Sequence, residues 1–312
     1  MGRVGTYAGA GAAFAVAVAL TLARVGERPG AFPNWQALVL GVVQGLTELL
    51  PVSSSGHLIL VPWLGDWNYL ERRDDLNQTF DIALHLGTLV AIVVYFRREV
   101  ARLLGAWLRS LRRRRIEGAD ERIAWLVLVA TVPAAVVGAL GEDVIAEHLG
   151  EPWQIAILLA FFGVVLWVAD RSATRRKLHD LGLRTAVVVG FAEALALAPG
   201  VSRAGITISA ARLLALDRDA AARFSFLLLI PIVFGAVVLK GMGDVVVGDL
   251  PPGTAGPFVV GTIASAVSGL VAIRVLLGYV RRHDYSVFVA YRLVAAAVVL
   301  LLIATGARAP TF

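Results

Sequence analysis

QGLTELLPVSSSGHL, residues 44–58, and EALALAPGVSRAGITIS, residues 193–209, decide how this chain is read. Both put carboxylates, hydroxyls, a histidine or an arginine inside apolar surroundings. Such groups are expensive at membrane depth. They usually face one another or a wet cavity, and mark a substrate or ion site. Each stretch is also broken by helix-ending residues: Pro51 and three serines in the first, Pro199 and Gly200 in the second. Broken helices are tolerated at that depth only when buried in protein or lining a cavity.

Outside these stretches the 312-residue chain is a membrane sequence, with 58% hydrophobic and only 17% charged residues. Segments of helical length and high hydropathy fall near residues 6–24, 80–96, 123–140, 153–169, 222–239, 257–279 and 286–304. The first is read as an added N-terminal span with its loop (1–34), because no clean cleavage signal follows it. The rest (35–312) reads as one integral membrane catalytic domain. The net charge of +6 does not indicate nucleic-acid binding, since the positive residues sit in short loops and form no groove-lining stripe. Cysteine is absent, which excludes disulfides, thiolate nucleophiles and sulfur metal sites.

Loop charge orients the chain. Residues 97–122 carry nine arginines against four acids, and 170–184 carry five basic residues against two acids, so both are expected on the cytoplasmic side. The acidic stretch 141–152 between them is expected outside. The alternation closes if 35–64 and 185–216 are each a re-entrant helix pair, the first entering from outside and the second from inside. The two polar stretches also superpose without a gap, Gln44–Gly56 on Glu193–Gly205. The expected fold is an all-α polytopic membrane protein with inverted-topology repeats, in halves of about 35–140 and 185–304.

Gln44 and Glu48, four residues apart, share one helix face. A carboxylate and an amide there can hold a hard divalent cation or simply hydrogen-bond to tie helices together. Glu193 is a candidate second metal-binding or proton-handling carboxylate. Ser53, Ser54 and Ser55 precede a helix start, where hydroxyls cap and free N–H groups bind phosphate. One serine can also act as a nucleophile if His57 accepts its proton. Arg203 offers a planar fork of donors to phosphate oxygens, Ser202 can cap the returning helix, and Thr207 either touches substrate or bonds the preceding helical turn. Asp81 and His85 share a face of the next span and either support the site or pair together. Arg223 and Arg274 are expected to snorkel from inner span ends, and Arg112–Arg115 to anchor the inner surface. An anion site with carboxylates in an apolar setting suits phosphoryl transfer on a lipid-borne phosphate or diphosphate.

The two stretches resemble the signature motifs of the undecaprenyl-diphosphate phosphatase family, the BacA-type enzymes linked with bacitracin resistance. That family carries an (E/Q)GLTE…LPVSSSGH segment and a later PGxSRSGxT segment. FDIALHLGTLVAIVVYF, residues 80–96, is similar as well, and the likeness runs from about residue 35 to 304. It implies hydrolysis of undecaprenyl diphosphate to the monophosphate and phosphate, which recycles the carrier lipid for peptidoglycan synthesis in the bacterial plasma membrane. It also implies a divalent cation such as Mg²⁺ or Ca²⁺, a site opening to the outer side, and a homodimer. By motif, the essential carboxylate falls on Glu48, with Gln44 at the E/Q position. The serine pair falls on Ser53 and Ser54, the histidine on His57, and the second-motif residues on Ser202, Arg203 and Thr207. Gln44 in place of Glu removes a charge that Glu193 can restore at the equivalent position. Ala204 stands where the family motif has serine.

The resulting expectation is that Arg203 and N–H groups near Ser202 and Ser54 grip the diphosphate while Glu48, with Gln44 or Glu193, holds the cation. Ser54, His57 and water remain open as attackers, and Ser54 with His57 as base is favoured. A polyprenyl-phosphate transporter or flippase, or a membrane protein that binds lipid phosphate without turnover, are the rival classes.

Overall fold

A computed structural model describes residues 32–67, 74–174, 176–238 and 253–311, and the expected first span near 6–24 lies outside them. The described residues form an all-α, polytopic bundle. In order they are α1 (Asn34–Leu49), α2 (Ser54–Gly65), α3 (Asp74–Tyr95), α4 (Arg97–Arg113), α5 (Ala119–His148) and α6 (Pro152–Asp170), then α7 (Leu183–Leu195), α8 (Arg203–Leu213), α9 (Arg218–Ala236), α10 (Ala255–Val280) and α11 (Ser286–Ala304). Six of them, α3, α5, α6, α9, α10 and α11, are long and apolar enough to cross a membrane, and they match the six hydropathy segments after the first. Residues 97–113 depart from expectation. The arginine-rich loop is a helix, α4, whose Leu103, Ala106 and Ser110 are buried.

The polar stretches are short helix pairs, α1–α2 and α7–α8. α1 stops because Leu50, just before Pro51, is driven into the extended region (φ −80°, ψ 146°). Ser53 then takes a left-handed φ of 78° and caps α2, its Oγ accepting from Gly56 N–H (3.4 Å). The second pair repeats this. Gly200 turns the chain at φ 99°, and Ser202, at φ 74°, caps α8 by accepting from Gly205 N–H (3.1 Å).

The first helix of each pair packs through a glycine at the same place in the repeat. A Cβ on Gly41 would lie 2.3 Å from the Gly261 carbonyl of α10, and one on Gly190 would lie 2.4 Å from the Ala130 carbonyl of α5. Only glycine allows the backbones so close. The open ends of the pairs are joined too. Trp35 at the start of α1 meets Trp67 just after α2 edge to face, centroids 4.9 Å apart. Before α7, Arg176 exchanges backbone bonds with Ala215 (3.0 Å) and Asp217 (2.9 Å) just after α8.

α11 runs between these two joined ends. At its start, Tyr285 N–H donates to Asp170 (3.0 Å), which also receives Arg212 (3.1 Å) and Arg218 (2.8 Å) beside the α7–α8 opening. Beyond its end, Arg308 pairs with Asp66 and bonds the Leu64 carbonyl (2.6 Å) beside the α1–α2 opening. The main core, including Leu49, Ile92, Leu166, Ile208, Phe224 and Leu276, fills the bundle around the tips of the two pairs.

Candidate active site

The tips of the two pairs touch. Ser53 Oγ accepts from Gly200 N–H across them (3.2 Å). Immediately beside this contact lies Glu48, 4% exposed in the last turn of α1. Its Oε2 accepts from Gln44 Nε2 (3.2 Å) and from Ser54 Oγ, and its Oε1 accepts from Arg203 Nη2. Ser54 and Arg203 are the first residues of α2 and α8, so one carboxylate gathers the starts of both returning helices. Glu193 lies on the far side of Arg203, with Oε1 3.7 Å from Nη1.

Three groups in this cluster are buried with polar atoms left over. Gln44 Oε1, both carboxylate oxygens of Glu193, and Arg203 Nη1 have no hydrogen-bond partner. Leaving a buried donor or acceptor unmatched costs about 1–3 kcal/mol each, so the cluster favours a ligand that supplies the missing partners. The open acceptors are all oxygens, the donor type hard divalent cations take, and Glu48 adds another carboxylate. In kind, then, Gln44, Glu48 and Glu193 fit such a cation. Among the described residues no group of three or more His, Asp or Glu side chains converges as a ready-made metal site; the amide oxygen of Gln44 is the further open oxygen beside the two carboxylates. Arg203 Nη1, ion-paired with Glu193 at 3.7 Å but not hydrogen-bonded, has N–H capacity left for an anion.

The remaining sequence candidates divide. Ser53 and Ser202 are caps, and their hydroxyls are occupied by backbone N–H groups. Thr207 is committed to packing: its Oγ1 donates to the Arg203 carbonyl (2.7 Å) and shares a bond with Ser225 Oγ (2.7 Å). His57 turns away from Ser54. Its Nδ1–H donates to the Ser53 carbonyl (2.6 Å), and its Nε2 lone pair accepts from Tyr291 O–H (2.7 Å). A carbonyl only accepts, so the tautomer follows, and both ring nitrogens are occupied. The Ser54 hydroxyl is bonded to Glu48, and the bonds of His57 go to Ser53 and Tyr291 in place of the Ser54 pairing favoured from the sequence. His85 lies against the cluster. Its Nδ1–H donates to the Asp81 carbonyl (2.7 Å) and its Nε2 lies 3.6 Å from Glu48 Oε2.

Sequence reading missed Arg292. It is completely buried in α11, and its guanidinium donates to five carbonyls: Leu159 (2.9 Å) and Leu158 (3.4 Å) on α6, Pro51 (3.3 Å) at the first tip, and Gly200 (2.9 Å) and Val201 (3.1 Å) at the second. The signal was present as a lone arginine inside the apolar run VFVAYRLVAAAVVLL, the pattern that marks function or structure at depth. Arg223, expected to snorkel, instead pairs with Asp219 (2.7 Å) and Glu99 (3.2 Å). A cleft of about 590 Å³ lies elsewhere, around Asp170, Lys177, Asp217 and Arg281. Its charges are largely paired with one another: Lys177 with Asp217, Arg281 with Asp219 (2.9 Å), and Arg212 and Arg218 with Asp170. The unmatched polar atoms around Glu48 are therefore the better guide to the chemistry.

Known proteins resemble this chain over most of its length. The family model described as bacitracin resistance protein BacA matches residues 37–298. The chain is 45% identical over 272 residues to the undecaprenyl-diphosphatase of Gemmatimonas aurantiaca, covering 87% of this chain and 98% of that one. It is 46% identical over 270 residues to that of Rubrobacter xylanophilus, covering 86% and 97%. Against that of a Nocardioides species it is 44% identical over 273 residues, covering 87% and 97%.

Proposed function

Because the chain belongs to the bacitracin resistance protein BacA family, we propose that it hydrolyses undecaprenyl diphosphate to undecaprenyl phosphate and inorganic phosphate, returning the carrier lipid to peptidoglycan synthesis. The observation that carries this reading is Glu48, which holds the Ser54 hydroxyl on one oxygen and the Arg203 guanidinium on the other.

The topology is read as an inverted repeat of two re-entrant pairs. Supporting it are the joined openings of α1–α2 and α7–α8, the two ends of α11 that lie one beside each opening, and the meeting of the tips at Ser53 and Gly200. The end of the bundle that holds α4 and residues 170–184 is the basic one and is assigned to the cytoplasm. The α1–α2 opening, with Trp35 and Trp67, is then assigned to the outer face, from which the substrate enters.

Arg203 exchanges Glu48 for phosphate oxygens, helped by the free N–H groups at the starts of α2 and α8. Ser54 Oγ attacks the terminal phosphorus and its proton passes to Glu48 Oε2. The anhydride P–O bond breaks, undecaprenyl phosphate leaves, and water then hydrolyses the phosphoserine. Gln44, Glu48 and Glu193 would hold a Mg²⁺ or Ca²⁺ ion, which supplies neutralisation of phosphate charge when bound. His57, locked between Ser53 and Tyr291, keeps the turn that aims Ser54. A homodimer is part of the proposal; nucleic acid is not.

The test is phosphate release from undecaprenyl diphosphate by purified protein, with Mg²⁺ or Ca²⁺ and with EDTA, beside Arg203→Ala. Cation-dependent release lost in the variant supports the reading. Lipid binding without release by folded protein rejects it, and transfer of lipid across vesicles by the hydrolysis-dead variant would replace it with transport. Single turnover in ¹⁸O-water with rapid quench separates attackers. A trapped phosphoserine on Ser54 supports the two-step route, and its absence, with ¹⁸O still entering phosphate, assigns the attack to water.

A further inference from the structure

We propose that α4 lies in the plane of the cytoplasmic membrane interface and binds anionic phospholipid headgroups, a lipid-recognition surface separate from the hydrolytic site. Around its circumference α4 has three sectors. Leu103, Ala106 and Ser110 are buried against the bundle, held by Trp125 Nε1–H donating to Ser110 Oγ (2.9 Å) and by Glu99 pairing with Arg223 of α9 (3.2 Å). Leu104, Leu108 and Leu111, spaced four and three apart, form a stripe exposed by 53%, 52% and 43%. Arg98, Arg102, Arg109 and Arg113 form a third stripe, continued past the helix by Arg114 and Arg115.

Neither simpler role accounts for this pattern. A helix facing water has no reason to present three leucines in a row on its free side, and a helix crossing the bilayer would not carry an arginine nearly every turn. A helix half sunk in the interface needs both, with leucines among the acyl chains and arginines at the phosphates. Charge says which lipid. Arg102 is paired with Asp120 (3.5 Å), Arg113 with Glu117 (3.1 Å) and Arg115 with Glu117 (2.9 Å). Arg98, Arg112 and Arg114 are exposed and in no ion pair among the described residues, and the exposed Arg109 has only the field of Glu121 nearby. Exposed arginines left outside these ion pairs, beside an apolar stripe, complement an anionic leaflet, where each basic residue near the surface adds attraction. The position agrees, because α5, which follows α4 directly, starts beside the basic segment 170–184, with Arg122 donating to the His179 carbonyl (2.7 Å).

The chain has no cysteine, so a single spin label reports one place. Full-length protein carrying a label at Leu108→Cys, and separately at Arg109→Cys, is reconstituted in phosphatidylcholine vesicles with or without roughly one-third phosphatidylglycerol. The expected result in the mixed vesicles is that the Leu108 label collides with oxygen in preference to an aqueous nickel chelate, and the Arg109 label does the reverse. In parallel, the lipid retained by detergent-purified protein is weighed by mass spectrometry. Phosphatidylglycerol is expected to be enriched about tenfold over phosphatidylcholine at low salt, and the enrichment to shrink as salt rises toward about 1 M. Changing Arg98, Arg109, Arg112 and Arg114 together to Gln abolishes the enrichment, and changing them to Lys retains it. A Leu108 label that stays aqueous in both vesicle types overturns the proposal and makes the surface one for a soluble acidic partner. Enrichment that survives the Gln variant overturns it as well. If the Gln variant does not fold, enrichment in the unaltered protein that is flat against salt overturns it. Phosphate release, measured alongside, is unchanged by the Lys variant, so failure here leaves the hydrolase reading standing.

Discussion

At the turn before α2, Ser53 stands at φ 78° and caps Gly56; at the turn before α8, Ser202 stands at φ 74° and caps Gly205. Each cap is followed by the first residue of a returning helix, and there the turns part. One puts forward the hydroxyl of Ser54, the other the guanidinium of Arg203, and Glu48 binds both. Glu48 itself has no twin, because Leu197 occupies its place in the second stretch, whereas Gln44 and Glu193 correspond. The difference teaches that the backbone is duplicated while the chemistry is divided: a strained capped turn is a general way to aim a helix start at a cavity, and the residue mounted on it decides what it delivers.

The largest effects should come from separating the two chemistries at Glu48. Arg203→Ala removes a charge-assisted donor and leaves the Glu48 charge buried without its cation, so phosphate release is expected to fall by about 10³-fold or more. Arg203→Lys restores the charge without the fork and should recover only part of it. Ser54→Ala is expected to lose at least as much if the phosphoserine route holds, while keeping substrate binding. Equal turnover by Arg203→Ala and the unaltered protein, measured on folded material, would remove Arg203 from the chemistry.

Next is the clamp between the turns. Arg292 donates to Pro51 and to Gly200, which are equivalent positions, and so binds the two tips as a pair. Arg292→Met keeps the length and loses the donors, leaving several carbonyls unmatched. A destabilisation of about 3 kcal/mol or more is expected in thermal unfolding in detergent, with lower turnover per folded molecule because the tips are no longer held together. A stable, fully active Arg292→Met would mean that the tips hold each other without it.

The caps offer a finer test, since they differ by one bond. Ser202→Ala loses a cap worth about 1 kcal/mol. Ser53→Ala loses the same and also strands the Gly200 N–H that Ser53 Oγ receives, so it should be the more damaging by about 1 kcal/mol or more. Glycine relieves the left-handed φ at both places. Ser202→Gly is therefore expected to be near neutral, and Ser53→Gly to remain destabilising. Equal losses at the two serines would show that the bond between the tips carries no weight.

Much of this was legible in the residues, and the reasons for the rest are physical. Six spans follow from hydropathy, and the breaks follow from Pro51 and Gly200, whose local rules act on one or two neighbours. The meeting of Glu48 with Arg203 was open to inference because a buried arginine needs an anion, and the motif pair named both. What escaped depends on contacts distant in sequence. The sequence favours His57 as a base for Ser54, three residues away, while the hydrogen-bond partner of its Nε2, Tyr291, lies 234 positions on. Arg292 shares a helix with no motif, and its five acceptors are backbone atoms that leave no trace in composition. α4 was hidden by its arginines: its apolar residues divide between a buried and an exposed stripe, so hydropathy reads it as a loop.

The smallest effect, and the one that tests the symmetry most directly, is Gln44→Glu. Gln44 donates to Glu48 through Nε2 (3.2 Å) while its Oε1 lies buried without a partner. The amide thus quiets one carboxylate and leaves an oxygen free. The substitution makes the position match Glu193 in the second stretch and brings a third carboxylate to the cluster. If a divalent cation is held by these oxygens, the extra charge should lower the concentration needed for half-maximal phosphate release by about threefold to tenfold, and activity in EDTA should fall further than it does in the unaltered protein. If no cation is held there, two carboxylates four residues apart on one buried helix face only repel. The protein should then lose stability to the same extent with and without cation, and the metal dependence of turnover should not move. The outcome separates a cluster built around an ion from one built around Arg203 alone.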